Sequence, residues 1–403
     1  MGVASEPAPV PTRPSPSPVP TPSTHRLLYI DNLRWLMIVL VVAMHAAVTY
    51  SGLGSWYYKE PTTLRPFTAL LFLIFQTHLQ AFFMGLLFLI AGYFVPPSFD
   101  RKGPARFVAD RAFRLGVPTL IYALLVHPFN GYMLIAAHAD AARPVPSALG
   151  AYAHYIFTFE FLSGTGPLWF ALALLVFSIV YANIAAFTGR KPHPAVRPLP
   201  SHAAVLGLIV VMSAGSFAVR LVQPMGTSIF NMQLCFFTQY ILLFALGCMS
   251  RRNDWLARLP RRFAMKWFVA ALTLSPVLWF AMILTGGAAS GHTDPYAGGL
   301  HWQSAAYSTW ESFFCVGFCL GLLALFRDRF NHQGSFARLL SANAFAVYVF
   351  HAPVLIALAL AFRPIHAGPF PKFVILTVSG AACTFLLAQA LIRQIPGLRR
   401  VMA

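Results

Sequence analysis

An all-α polytopic membrane bundle of about ten helices, with both termini in the cytoplasm, is the fold class this sequence predicts, and three observations predict it. Of 403 residues, 58% are hydrophobic and only 10% charged, with a mean hydropathy of +0.66, where a soluble domain carries roughly 25% charged residues. Apolar stretches of about 20 residues recur, each long enough to cross a hydrocarbon core of about 30 Å as a helix. The lysines and arginines alternate between successive loops in the way the positive-inside rule requires.

Taken in order, the first span reads as 33–52, the second as 70–95 and the third as 113–137. Residues 150–163, AYAHYIFTFEFLSG, are too short and polar for a crossing and predict an interfacial or re-entrant piece on the outer side. Seven spans follow, at 167–188, 203–222, 231–249, 264–286, 303–326, 342–362 and 371–392. An eleventh span at 150–163 would invert every later loop, and charge tests that. With ten spans and the N-terminus inside, the cytoplasmic segments hold 23 of the 29 basic residues, the outer ones only Lys59, Arg65, Arg143, Arg220, Arg363 and Lys372.

The same distribution accounts for the net charge of +18. A basic balance can mean nucleic acid, but here the charge is spread over short loops without a basic domain or stripe, which excludes that partner and leaves the lipid bilayer. The cysteines, Cys235, Cys248, Cys315, Cys319 and Cys383, lie in apolar spans without CxxC or Cys/His spacing, so neither disulfide nor metal is expected. Residues 1–25 are rich in Pro and Ser with no apolar signal-like core, and read as a disordered cytoplasmic tail before a membrane domain over 26–403.

Function is carried by the residues that do not belong in lipid. Arg34 and His45, eleven apart in DNLRWLMIVLVVAMHAAVTY, fall on one helix face about 16 Å apart along the axis, one at the cytoplasmic mouth and one near mid-membrane. Ionisable groups at that depth face a bundle interior or a wet cavity and are functional candidates; a snorkelling arginine and a packed core histidine are the bland alternative. Asp31, three residues before Arg34, is placed to pair with it or to favour the helix N-terminus. Arg111 and Arg114 present two cations suited to the oxygens of a phosphate-bearing ligand, although positive-inside bias alone would also put arginines there. His351 lies at a depth near that of His45, Glu311 about nine residues into the eighth span from outside, and Glu160 just outside the fourth. Each alone reads equally as a satisfied bundle residue. Together they outline a path, basic at the inner mouth, imidazoles at mid-depth and carboxylates toward the outside.

Arg34 through His45, IAGYF at 90–94, RAFRLGVP at 111–118, GPLWF at 166–170 and VYVFHAPV at 347–354 together resemble the membrane acyltransferase family 3, and YIDNLRWL at 29–36 with IPGL at 395–398 is similar to its glucan biosynthesis protein C branch. The resemblance spans roughly 26–400. It implies an inner-membrane enzyme of about ten helices that moves an acyl group from cytoplasmic acyl-CoA to a hydroxyl of an extracytoplasmic or lipid-linked glycan. It also implies that Arg34 and His45 are required, with the histidine at the acyl-transfer centre, and that Arg111 and Arg114 contact the donor.

Acyl transfer from thioester to alcohol needs a base for the hydroxyl proton, stabilisation of the oxyanion and a held donor. His45 is the expected base, because imidazole changes protonation state near neutrality; an acyl-histidine intermediate is the variant. Arg34, Arg111 and Arg114 would hold the coenzyme phosphates of acetyl-CoA or succinyl-CoA, with no permanently bound cofactor. Glu311, His351, Glu160 and Asp31 would support the centre and the acceptor side. A multi-pass transporter or flippase using the same groups as a relay is the competing reading, though no internal repeat supports it.

Overall fold

The computed structural model describes residues 27–140, 144–189, 197–390 and 394–395. The tail at 1–25, Arg143, Arg190 and Lys191, and all but Ile395 of the closing IPGL lie outside the described residues. Among the described residues, ten helices are long and apolar enough to cross a membrane: α1 Leu28–Ser51, α2 Pro66–Lys102, α3 Pro104–Ala137, α4 Gly166–Phe187, α5 His202–Arg220, α6 Leu234–Arg252, α7 Arg261–Thr285, α8 Trp302–Arg329, α9 Ser335–Ala361 and α10 Pro369–Ala390. The segment at 150–163 is not among them. It forms a short helix, Ala148–Phe157, started by Ser147 Oγ accepting from the Gly150 N–H, and then a single 3₁₀ turn at 160–162.

Three spans start or end well outside their expected bounds. The second continues through Pro96 and Pro97 to Lys102, because α2 is still packed against protein there and a bundle supplies neighbours that tolerate proline within a helix. Gly103, at φ +73, makes the turn, and Pro104 restarts the chain at once as α3, so the third span begins nine residues early. Within α3, residues 112–116 and 122–126 are π-helical. The ninth begins at Ser335 rather than 342.

Small residues decide which helices approach closely, as in membrane bundles generally. On α2, Gly92 meets α6 where a Cβ would fall 2.2 Å from the Phe244 carbonyl oxygen, and Gly247 of α6 meets the Leu89 oxygen at 2.1 Å in return. Gly317 and Gly321 of α8 admit α7 in the same way, against Ala271 and Phe268. The most enclosed helix is α2, with 83% of its apolar window buried, while α3, at 17%, forms part of the rim and turns Leu120, Leu125 and Phe129 outward.

Hydrogen bonds between helix ends sort the loops into two faces. On one, Asn32 donates to the Phe330 and His332 carbonyls, Arg252 binds Asp100, and Arg327 caps the Leu256 and Leu259 carbonyls. On the other, Arg363 donates to Tyr58 and to the Ala137 carbonyl, Lys372 pairs with Glu60, and Met225 donates to Ala297. This is the alternation expected of ten crossings.

Candidate active site

His45 of α1 and His351 of α9 meet across two helices whose neighbouring residues are small. Ala43, Ala46, Ala47 and Ala352 are buried around them, so the backbones pack closely and the imidazoles take the space. Their ring centroids lie 5.2 Å apart and the rings are within 15° of parallel. A third ring enters from outside both helices: Trp56, in the loop between α1 and α2, stacks on His45 at 3.7 Å and 14°, and lies 5.9 Å from His351. The three form a compact cluster rather than a column.

His351 is fully buried, and its Nδ1 lies 2.8 Å from the Tyr348 carbonyl. A carbonyl only accepts, so Nδ1 donates and Nε2 of the neutral ring carries the lone pair. That Nε2 is buried without a partner, as are His45 Nδ1 and Trp56 Nε1. Leaving one buried polar atom unpaired costs roughly 1–3 kcal/mol, so three gathered in one cluster single it out as a candidate site. His45 is only half-buried and keeps surface open to an incoming group.

The loop that delivers Trp56 is held by its next residue. Tyr57 Oη lies 2.7 Å from His127 Nδ1 and 3.1 Å from Tyr122 Oη, which receives a hydrogen bond from Asn130. The directions agree if Asn130 donates to Tyr122, Tyr122 to Tyr57, and Tyr57 to His127. Burial pushes the Tyr57 phenol up to about 12, so it keeps its proton. Gly166, at φ +48, passes between these rings: a Cβ there would strike Tyr122 and Tyr57. The adjoining Pro167 carbonyl accepts a hydrogen bond from Tyr348 Oη. GPLWF and VYVFHAPV, 181 residues apart in sequence at that bond, are therefore joined at the cluster.

The arginines lie at the opposite end. Arg34 is exposed near the start of α1 with Asp31 at 3.6 Å. Arg114 pairs at 3.3 Å with Asp110, which also binds Lys102 at 2.7 Å, while Arg111 tucks over the Phe107 ring with its Nε buried and unpartnered. Arg114 falls in the first π turn, so the two guanidiniums are held by different partners rather than as a simple pair one turn apart.

The carboxylates are not against the imidazoles. Glu311 is buried on α8 and bonded at 2.6 Å to Arg220 of α5, itself fully buried, donating also to Ser308 and lying over Phe236 and Tyr307. Glu160 is exposed in the turn after the short helix, where it accepts from Thr158 and faces His154 at 3.8 Å. Sequence reasoning missed Trp56, Tyr57, His127 and Arg220. The run SWYYKE at 55–60, three aromatics in an outer loop, was the signal for the first two, and a lone arginine in an outer segment that should be poor in positive charge was the signal for the last.

A family model described as an acyltransferase domain, Acyl_transf_3, matches residues 27–389. Among curated proteins, the glucans biosynthesis protein C of Salmonella heidelberg (strain SL476) is 28% identical over 231 residues, 54% of this chain and 57% of that protein. That of Salmonella agona (strain SL483) matches to the same extent, and that of Salmonella dublin is 27% identical over the same length. The chain thus spans little more than half the length of these relatives. No solved structure matches. With ten apolar helices among the described residues, a family match over nearly their whole length, and GPLWF and VYVFHAPV joined beside the histidine cluster, this chain is a multi-pass membrane protein that belongs to the acyltransferase 3 family.

Proposed function

We propose that this enzyme, in the cell inner membrane, takes an acetyl or succinyl group from cytoplasmic acyl-CoA at the arginine-bearing face and transfers it to a hydroxyl of an extracytoplasmic or lipid-linked glycan. The observation that carries the reading is the cluster of His45, His351 and Trp56, with three unpartnered ring nitrogens and one open imidazole. The names of the matched relatives support a glucan among the acceptors. In this reading the basic face is cytoplasmic, and Arg34, Arg111 and Arg114 hold the coenzyme phosphates, so the donor's thioester must reach about 16 Å along α1 to His45.

At the cluster, His45 takes the acceptor's hydroxyl proton as its oxygen attacks the thioester carbonyl. His351 Nε2, an acceptor only, takes a hydrogen bond from a neighbouring hydroxyl of the sugar and so orients the attacking oxygen. Trp56 Nε1–H, the unpartnered donor, stabilises the tetrahedral oxyanion. Collapse breaks the carbon–sulfur bond, and the imidazolium returns its proton to the leaving thiolate. The two rings are parallel, so neither passes a proton to the other, and each serves a different atom of the substrate.

Transfer of labelled acetyl and succinyl from their CoA thioesters to glycan, in membranes carrying wild type or His45→Ala, tests this. Loss of a positioned general base is worth about 10²–10⁴-fold in rate, and a fall of that size is the expected result. Folded His45→Ala protein transferring at the wild-type rate would refute the assignment.

A further inference from the structure

A cavity of about 400 Å³ opens on the face opposite the arginines, lined by Tyr58, Glu60, Pro61, His138 and Arg363. It is shallow and largely open to solvent, so it can receive one unit of a chain that continues past it. We infer that this cavity is an acceptor subsite, binding an uncharged glycosyl unit of the glycan next to the one being acylated. The inference rests on the glycan-acyltransferase reading and adds to it the place and chemistry of acceptor recognition.

Its position is the first argument. Tyr58 and Glu60 follow Trp56 by two and four residues on the same loop, so the loop that covers His45 also walls the cavity. The Glu60 backbone N–H donates to the Thr49 carbonyl of α1 at 2.8 Å. Thr49 is four residues beyond His45, on the order of 6 Å along the helix. A glycan chain lying in the cavity therefore has neighbouring units within reach of the cluster.

The chemistry of the walls is the second. Glu60 Oε1 is taken by Lys372 Nζ at 2.8 Å, whereas Oε2 is buried without a partner. Arg363 donates from Nε to Tyr58 Oη, from one terminal nitrogen to the Ala137 carbonyl, and from the other to His138 Nε2 at 2.6 Å. Those are three of the five N–H donors of a guanidinium, so two remain. His138 Nδ1 donates to the Leu134 carbonyl, which fixes its neutral tautomer and leaves Nε2 as the acceptor for Arg363. The cavity thus combines an unsatisfied carboxylate oxygen with spare guanidinium donors. A sugar hydroxyl both donates and accepts, and adjacent hydroxyls meet both groups at once. An anion could meet Arg363 but would leave the unpartnered Glu60 Oε2 without a donor, whereas a sugar hydroxyl can satisfy both. A neutral polyol is the ligand these walls fit.

The experiment is acyl transfer to soluble glucan oligosaccharides of increasing length, with KM and kcat measured separately for acceptor and acyl-CoA, in wild type, Glu60→Gln and Pro61→Trp. Glu60→Gln removes the acceptor charge, and a roughly tenfold or larger rise in acceptor KM, the size of a lost hydrogen bond to a charged group, is expected without change in the KM for acyl-CoA. Because Glu60 also neutralises Lys372, Pro61→Trp is the second variant: it fills the cavity from an exposed position and breaks no ion pair. It should raise acceptor KM likewise, most for the longer chains. Wild-type transfer with acceptor KM unchanged in Pro61→Trp would overturn the subsite and leave the transferase reading intact. A fall in kcat alone would also overturn it, assigning the loop to positioning Trp56. Wild type that labels no glucan with either donor would remove the reading on which the subsite rests.

Discussion

Arg220 and Glu311 show what a single residue's sequence context conceals. Read along the chain, Glu311 is an isolated acid in an apolar span, and a place on the acceptor side is a natural expectation. Folded, it is buried against Arg220, 91 residues away, with the second guanidinium nitrogen on Ser308. Removing one member of a buried ion pair strands the other and costs about 3–5 kcal/mol, whereas replacing both by apolar groups of similar volume is often neutral or stabilising. Glu311→Gln should therefore lower the thermal unfolding midpoint in detergent substantially, and Arg220→Met combined with Glu311→Leu should recover most of it. A Glu311→Gln protein as stable as wild type but slow in transfer would return this carboxylate to the chemistry. His45 and His351 were legible because imidazoles are rare in lipid-spanning helices. Trp56 was not, because nothing local tells a loop tryptophan facing water from one folded back onto a histidine.

At the scale of elements, length and apolarity were enough to find every span, and the short polar segment at 150–163 was rightly left out. Boundaries were harder where neighbouring helices decide them: Pro96 and Pro97 look like a stop but lie within α2, and the π turns of α3 have no signature in its composition. Helix pairing was also hidden, because it depends on which glycines face a partner's backbone. Gly92 does, since its Cβ would sit 2.2 Å from the Phe244 oxygen, a main-chain atom that cannot rotate away; Gly207 of α5 has nothing within 4 Å. Gly92→Ala should destabilise by about 1–3 kcal/mol, the usual effect of overpacking, and lower the yield of folded protein. Gly207→Ala should be neutral or stabilising by up to about 1 kcal/mol, since alanine restricts the unfolded chain more than glycine does. Equal melting of the two variants would show that the α2–α6 crossing has room to separate.

The whole molecule has a direction, with Arg34 at one end of α1 and the histidine cluster, its covering loop and the cavity beside Glu60 toward the other. The hydrogen bonds between helix ends establish two faces, and the charge bias predicts that the basic one is cytoplasmic. That assignment can be tested in spheroplasts with a membrane-impermeant maleimide. Of the native cysteines only Cys383 is exposed, and Cys383→Ser removes it. In that background, Thr62→Cys and Ser290→Cys sit on exposed residues of the cavity face, and Thr188→Cys and His332→Cys on exposed residues of the arginine face. The first two should label in intact spheroplasts and the second two only after permeabilisation. If Thr62→Cys and His332→Cys behaved alike, the ten-span alternation would be wrong. A clean reversal would keep the fold but turn the cavity to the cytoplasm, where an external glycan cannot enter, and the transfer would have to run from the outer face inward. If the donor is acyl-CoA, as we propose, it comes from the cytoplasm, so only the expected pattern would let a donor at Arg34, Arg111 and Arg114 and an acceptor beside Glu60 approach His45 from opposite sides.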